Sequence, residues 1–285
     1  MSIKRKVNKL VKKSTWNAIL SMLRKLIKWS PYFRYPFIGP RLRKVVNLEP
    51  EAKTQGYTLN INADVTDMAQ GVVLPIDMMK QAVRQAGYRA IMNKCLCRSA
   101  YDCKNFPHNH ACIFIGDGAR GIVKNGIGRE ATVEEALAHI DRGAELGLIG
   151  QALWIEVEKV MMGLVREKGV AHWLEICFCC PCCCGTFKLM RASNLKDIRD
   201  RFHSIGWKAV LNDEICNQCQ LCIKRCPVGA ISLKENRVCI DAQECLGCGF
   251  CAARCPQSAI KLHLQAPLLT KIEEYFIRGG LKIDL

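Results

Sequence analysis

Nineteen of the 285 residues are cysteines, and they fall into runs. Eight lie near the carboxyl end: Cys216, Cys219, Cys222 and Cys226 before Pro227, then Cys245, Cys248, Cys251 and Cys255 before Pro256. Four more, Cys95, Cys97, Cys103 and Cys112, are spaced C-x-C-x5-C-x8-C. Six crowd into ICFCCPCCCG: Cys177, Cys179, Cys180, Cys182, Cys183 and Cys184. In a short secreted chain such a number would mean disulfides. This chain is long enough to bury a core, and its first apolar stretch, residues 14–23, meets Arg24 and Lys25 with no small-residue cleavage site after it. A reducing compartment is therefore expected, with thiolates serving as ligands for soft metals.

The carboxyl-terminal eight carry the strongest signal. C-x2-C-x2-C-x3-C-P occurs twice, 29 residues apart, and VLNDEICNQCQLCIKRCPVGAISL aligns with CIDAQECLGCGFCAARCPQSAIKL beyond the cysteines themselves. Two residues between cysteines let one loop wrap three corners of an iron–sulfur cube with its amides toward the sulfurs, and the longer step sends the fourth thiol to a second cube. The stretch 204–265 resembles the bacterial dicluster ferredoxins. That resemblance implies one [4Fe-4S] cluster on Cys216, Cys219, Cys222 and Cys255, and another on Cys245, Cys248, Cys251 and Cys226. Cys239 takes the repeat position of Val210 and reads as a small hydrophobe in a strand. Four-cysteine zinc is the alternative for thiolates in general, but the doubled spacing with both prolines argues against it here.

The remaining ten cysteines leave more open. Cys95, Cys97, Cys103 and Cys112 suffice for one further cluster, with Lys94, Arg98 and Lys104 as nearby cations. Zinc is the rival at this site, with His108 or His110 replacing a cysteine. The C-x-C-R stretch, followed by a later cysteine run and a dicluster tail, resembles a group of anaerobe iron–sulfur proteins over residues 70–265. Six thiols in residues 177–184 exceed the four sites of one cube, so a subset is expected to hold or complete a cluster and the surplus to remain as thiols. Pairs of the C-x-x-C form arise in so dense a run by arithmetic and do not by themselves mark a redox dithiol.

Positioning these ligands is the task of an expected α+β architecture: an N-terminal amphipathic helix, an α/β cysteine-rich domain and an appended dicluster ferredoxin-like domain. The divisions are 1–50, a basic arm; 51–203, the cysteine-rich domain; 204–265, the ferredoxin domain; and 266–285, a helix and tail. Residues 1–44 hold thirteen Lys or Arg and no acid, which is most of the net charge of +16. Trp16, Ile19, Leu20, Leu23, Leu26 and Ile27 recur at helical spacing, and Ser30 with Pro31 should end that helix. Beyond it, Tyr32, Phe33, Tyr35 and Phe37 alternate with Arg34, Arg41 and Arg43, as suits a lipid headgroup region. An anionic membrane surface is thus the expected partner of residues 1–45, which places the chain in the cytoplasm at the inner face of the membrane. Packing of the helix on the chain's own body is the alternative, and nucleic-acid binding rests on the arm alone.

In the middle domain, residues 75–94 and 153–169 read as helices, CIFIGDG as a strand and glycine turn, and HWLEICFCC as opening with a strand. Thr132 and Glu135 form a capping box. GDGARG lacks the spacing of a dinucleotide fingerprint, and neither an H-E-x-x-H stretch nor a Ser-His-acid arrangement occurs. The functional expectation is single-electron relay between redox partner proteins, through two [4Fe-4S] clusters and one or two more centres in the middle domain. The alternative is a reductase acting at a middle-domain cluster or reactive thiol.

Overall fold

The computed structural model describes residues 3–45, 48, 53–62, 75–158, 162, 164 and 170–285, with side chains from residue 16 onward. At its centre lies a seven-stranded sheet in the order β4-β2-β3-β7-β5-β1-β8. Its strands are β1 (Gln55–Leu59), β2 (Arg89–Met92), β3 (Ile113–Ile115), β4 (Gly128–Glu130), β5 (Ile149–Trp154), β7 (Leu174–Cys179) and β8 (Phe202–Ser204). All neighbours are antiparallel except β1 and β8. Both faces of the central strands are covered, which explains why β5 and β7 are buried at every residue.

One face carries α3 (Pro75–Gln85) and α6 (Val133–Glu145), which pack on each other. Thr132 caps α6 by accepting from the Glu135 amide while the Glu135 carboxylate accepts from the Thr132 amide, as the sequence predicts. Gly150 and Phe178 are register partners, so they share this face; Met79 of α3 lies over Gly150, and Gly143 of α6 over the Phe178 ring. His110 stacks on His139 at 3.9 Å between ring centroids, with Phe178 edge-on to both.

The opposite face is covered by α1 (Ile3–Trp29), α4 (Leu96–Ala100) and α7 (Gly185–Ser193). Leu20, Leu23 and Leu26 are buried there; Leu23 rests on Gly185, and Arg24 Nε donates to Ala100 O at 2.6 Å. The apolar stripe of α1 is therefore used within the molecule, the alternative left open by the sequence. The helix ends at Trp29 and passes into a 3-10 turn, Ser30–Arg34, followed by α2 (Gly39–Val45).

Two sequence expectations need correction. Residues 75–94 are a helix only as far as Gln85; after Gly87 the chain enters β2, where Ala90, Ile91 and Met92 are buried between β3 and β4. An apolar run that fits a central strand is drawn there by packing, against its helical spacing. In 153–169, Leu153 and Trp154 complete β5, and much of the remainder lies outside the described residues. GDGARG forms a turn, with Gly116 at φ +93°, that leads into the short helix α5 (Arg120–Lys124).

The chain then continues through α8 (Lys196–Arg199) to two small two-stranded sheets. The strand β9 (Trp207–Leu211) pairs with β12 (Ile260–Leu264), and β10 (Ile231–Lys234) with β11 (Arg237–Ile240). Between them lie the two cysteine loops and α9 (Leu221–Arg225). The carboxyl-terminal α10 (Ile272–Arg278) returns to the body, where Tyr57 Oη donates to Tyr275 O and Gln55 donates to Gly279 O. The last strand, β13 (Lys282–Ile283), pairs with β6 (Val170–Ala171).

A methyl group at position 143 would lie 2.4 Å from the Phe178 ring, so Gly143→Ala is expected to cost about 1–3 kcal/mol, read as a lower denaturation midpoint. Burial, and then the neighbouring His139, pushes the His110 imidazole from 6.5 down to about 3. Between those two values the unfolded chain binds a proton there that the folded chain does not, so stability is lost as pH falls through this window. His110→Phe should move the acid-unfolding midpoint to lower pH; an unchanged midpoint would mean that His110 is charged in the fold.

Candidate metal centres

In the carboxyl-terminal module the two cysteine loops have matching backbones. Gln218 and Gln220 have φ of 55° and 60°, and their repeat partners Gly247 and Gly249 have 64° and 73°. Left-handed residues at alternate positions turn successive amides inward, the arrangement that cradles an anion. At Gly247 even a methyl group would strike Trp207 O, so the second loop requires glycine where the first tolerates glutamine.

The fold brings Cys216, Cys219, Cys222 and Cys255 to the wall of one cavity, together with Cys251, Pro256 and Arg254. Cys226, Cys245, Cys248 and Cys251 face one another on the inner side: burial raises the Cys248 thiol to about 12, and Cys226 and Cys245 add to the rise. Amides point at these sulfurs, from Ala230 to Cys226 at 3.2 Å, and from Gly247 and Ala209 to Cys245 at 3.4 and 3.5 Å. Donors of this kind favour a negatively charged sulfur, and so a bound cluster. The two sets differ in exposure. Cys219 is exposed and Cys216 and Cys222 are half-buried, whereas Cys226, Cys245 and Cys251 are buried. Cys239 is half-buried in β11, opposite Ser232 and apart from both sets.

The middle cysteines divide differently from the sequence grouping. Alternation along β7 puts Glu175, Cys177 and Cys179 on the face away from Phe178. Continuing the Ile113–Ile176 register by one step places Cys112 beside Cys177, with their sulfurs 2.9 Å apart. Cys184 precedes the first turn of α7 and approaches Cys179 at 3.3 Å, and the Gly185 amide donates to Cys97 Sγ at 3.2 Å. Cys95, Cys97, Cys112, Cys177, Cys179 and Cys184, with Cys180 at the edge of the turn, thereby line one cavity between the sheet and α1. Cys103, expected with Cys95, Cys97 and Cys112, instead joins Cys180, Cys182 and Cys183 of the turn that follows β7.

Three charged residues complete the larger cavity. Arg98, 1% exposed, donates to Phe178 O at 2.8 Å and to His110 O, while its Nε has no partner among the described residues. Burial works against its charge, but the surrounding Cys95, Cys112, Cys180 and Cys179 more than offset this and hold it cationic. Lys94 and Lys104, the other cations singled out in the sequence, are exposed. Glu158 and Glu175 also line the cavity, both buried and both raised, by burial first. Sequence reasoning missed these carboxyls; an acid inside the apolar run WLEICFC was the available signal for Glu175. Among the described residues, neither His108, whose Nε2 contacts Cys103 O at 2.9 Å, nor His110 in its ring stack joins a group of converging ligands.

A cavity walled by seven thiols, with the buried Arg98 cation offering an N–H that has no partner among the described residues, fits an anionic thiolate-bound metal group; Cys95, Cys97, Cys112, Cys177, Cys179 and Cys184 are the residues that would hold it. Comparison with curated proteins gives no match to the chain. Residues 215–259 match the family model described as a 4Fe-4S dicluster domain, so the carboxyl-terminal module is a dicluster ferredoxin domain and the chain an iron–sulfur protein built for electron transfer.

Proposed function

We propose that the protein relays single electrons between a partner docked at the exposed edge of the ferredoxin domain and a third metal centre in the thiol-lined cavity of the α/β body. The observation that carries this reading is the cavity itself, with seven cysteines and the buried Arg98 cation beside a domain built for two clusters. Bound cubes supply one-electron chemistry with little rearrangement. The chain contributes the rest. Cys219 leaves one cluster site open to solvent and to partners, while Cys226, Cys245 and Cys251 keep the other inside. The inner side is fastened to the body: Arg199 of α8 donates to Val228 O at 3.2 Å and pairs with Glu244. Arg98 offsets thiolate charge, which favours the reduced state of whatever the cavity thiols hold.

A second reading, a reductase, is favoured by Glu158 and Glu175. Glu175, next to Cys112 and Cys177, and Glu158 beside it are suited to supply protons at a reaction centre, and seven thiols leave a surplus beyond the four a cube takes. A carrier turns nothing over. A reductase would show a spectral change in the middle centre on addition of a small oxidised substrate or a thiol reagent.

The same reading places the protein at the cytoplasmic face of a membrane. Among the described residues no helix is long and apolar enough to cross a bilayer. With the α1 stripe packed inside, contact falls to Trp29, Tyr32, Tyr35, Phe37 and Ile38, all exposed, and to Lys25, Lys28, Arg34 and Arg41 around them. Rings and cations so mixed suit an anionic headgroup layer.

Protein purified without oxygen is expected to contain about twelve irons and a matching amount of labile sulfide per chain. Joint Cys177→Ser and Cys179→Ser substitution should remove about four of each while the paramagnetic signals of the reduced dicluster domain persist. A wild-type content of about eight would confine the clusters to the ferredoxin domain and end the relay reading. On vesicles containing phosphatidylserine, Phe37→Ser with Tyr35→Ser should weaken co-sedimentation about tenfold or more, because two buried rings are lost from the contact. Equal binding to neutral vesicles, or binding indifferent to these substitutions, would remove the membrane from the proposal.

A further inference from the structure

The geometry points to a mononuclear metal site, distinct from any cluster, in which Cys103, Cys180, Cys182 and Cys183 hold one thiophilic divalent ion, zinc or ferrous iron, as a tetrathiolate. The four sulfurs all lie within 4.8 Å of one another, and Cys103 Sγ is 3.7 Å from Cys182 Sγ. A tetrahedral ion with metal–sulfur bonds of about 2.3 Å sets its ligands about 3.8 Å apart. A cube separates them to about 6 Å, since each thiolate binds a different iron and the inorganic core lies between them.

The molecule supplies its own comparison. None of the eight ferredoxin cysteines belongs to a group of three or more ligand atoms within 4.8 Å among the described residues. Of the seven cavity thiols, Cys112 and Cys177 are grouped with Glu175 and Cys180 belongs to the Cys103 set, while the other four are in no such group among the described residues. In the ferredoxin domain Cys216, Cys219, Cys222 and Cys255 line open space, whereas Cys103, Cys180, Cys182 and Cys183 close on a centre the size of a single ion. All four are reduced, and 3.7 Å is far beyond a disulfide bond.

The chain is shaped to make this set. Beyond Cys179 the strand breaks at Pro181 into a turn closed by Cys184 N donating to Cys180 O at 3.3 Å, and this turn presents three thiols from four consecutive residues. Cys103 comes from the loop after α4, held by its own amide donating to Arg98 O at 3.0 Å. Asn105 points its side-chain amide at Cys182 Sγ at 3.9 Å. Two segments 77 or more residues apart thus meet at their sulfurs, which is how a structural metal joins distant loops.

The site also has a defined place between the two parts of the chain. Cys180 lines the thiol cavity, and Cys182 lines a groove with Lys188, Arg191, Lys224 and Pro227, the last adjoining Cys226 of the ferredoxin domain. Its existence does not depend on what the cavity holds.

The test uses the full chain purified without oxygen. Elemental analysis with X-ray absorption at the zinc edge, and Mössbauer spectroscopy of iron-57 protein, should find one zinc or one mononuclear iron per chain. It should have four sulfur neighbours and no metal–metal shell; the zinc and iron arms decide which ion it is. Cys182→Ser, at a half-buried position, should speed loss of that ion to a chelator at least tenfold while cube iron and labile sulfide stay at the wild-type level. Should that variant not fold, cobalt-grown wild-type protein provides the second measurement: the intense thiolate-to-cobalt absorption of a tetrahedral site is expected. A wild-type chain without such an ion, cobalt protein without that absorption, or a Cys182→Ser chain that loses four irons together with four sulfides would each overturn the assignment.

Discussion

Thiolates repel one another, and gathering them without water requires cations or donors within reach of every sulfur. This constraint governs the whole chain. In the ferredoxin domain it is met by backbone: inward amides at Gly247, Ala209 and Ala230, with left-handed residues at matching places in both loops. In the body it is met by a side chain. Arg98 enters the core from α4, spends two nitrogens on carbonyls at Phe178 and His110, and leaves Nε beside the cysteines. Arg98→Leu would strand several buried thiolates, so its absence should be felt as lost metal before it is felt as lost fold.

The same constraint explains why the crowded run at residues 177–184 does not behave as a unit. A strand, a turn and a helix start share those eight positions, and each imposes its own direction on the sulfurs. Alternation sends Cys177 and Cys179 into the cavity, the turn at Pro181 sends Cys180, Cys182 and Cys183 toward Cys103, and the entry to α7 returns Cys184 to the cavity. Six thiols that exceed the capacity of one cube are sorted by secondary structure into two sites.

This sorting marks where the sequence could be read and where it could not. The doubled ferredoxin motif was legible because its ligands are local: cysteine spacing, both prolines and the flanking strands repeat together. The Thr132–Glu135 box and the strand at HWLEICFC were legible for the same reason. Cys103 could not be assigned, since its partners lie 77 or more residues away and their approach depends on the β3–β7 register. Residues 89–92 were misread because burial between two strands overrides helical spacing. In α1 the amphipathic pattern was plain, but an apolar stripe looks the same whether it meets lipid or protein. Gly185 settles the matter by letting Leu23 approach Cys97 closely enough to roof the cavity.

That roof links the N-terminal arm to the metal chemistry. Leu23, Leu26 and Ile27 line the thiol cavity, so a helix whose exposed side is basic also keeps water from the cysteines beneath it. Dehydration strengthens every charge interaction inside the cavity, including that of Arg98 with the thiolates. It also makes thiolates unfavourable unless a metal is present, as the raised Cys95, Cys112, Cys177 and Cys184 thiols indicate, with burial a cause in each. The arm is fixed by its apolar side and by Arg24 on Ala100, while the aromatic and basic residues that follow Trp29 remain outside. One helix thus serves two environments: its inner side roofs the buried thiols, and the segment that follows it keeps its rings and cations at the surface.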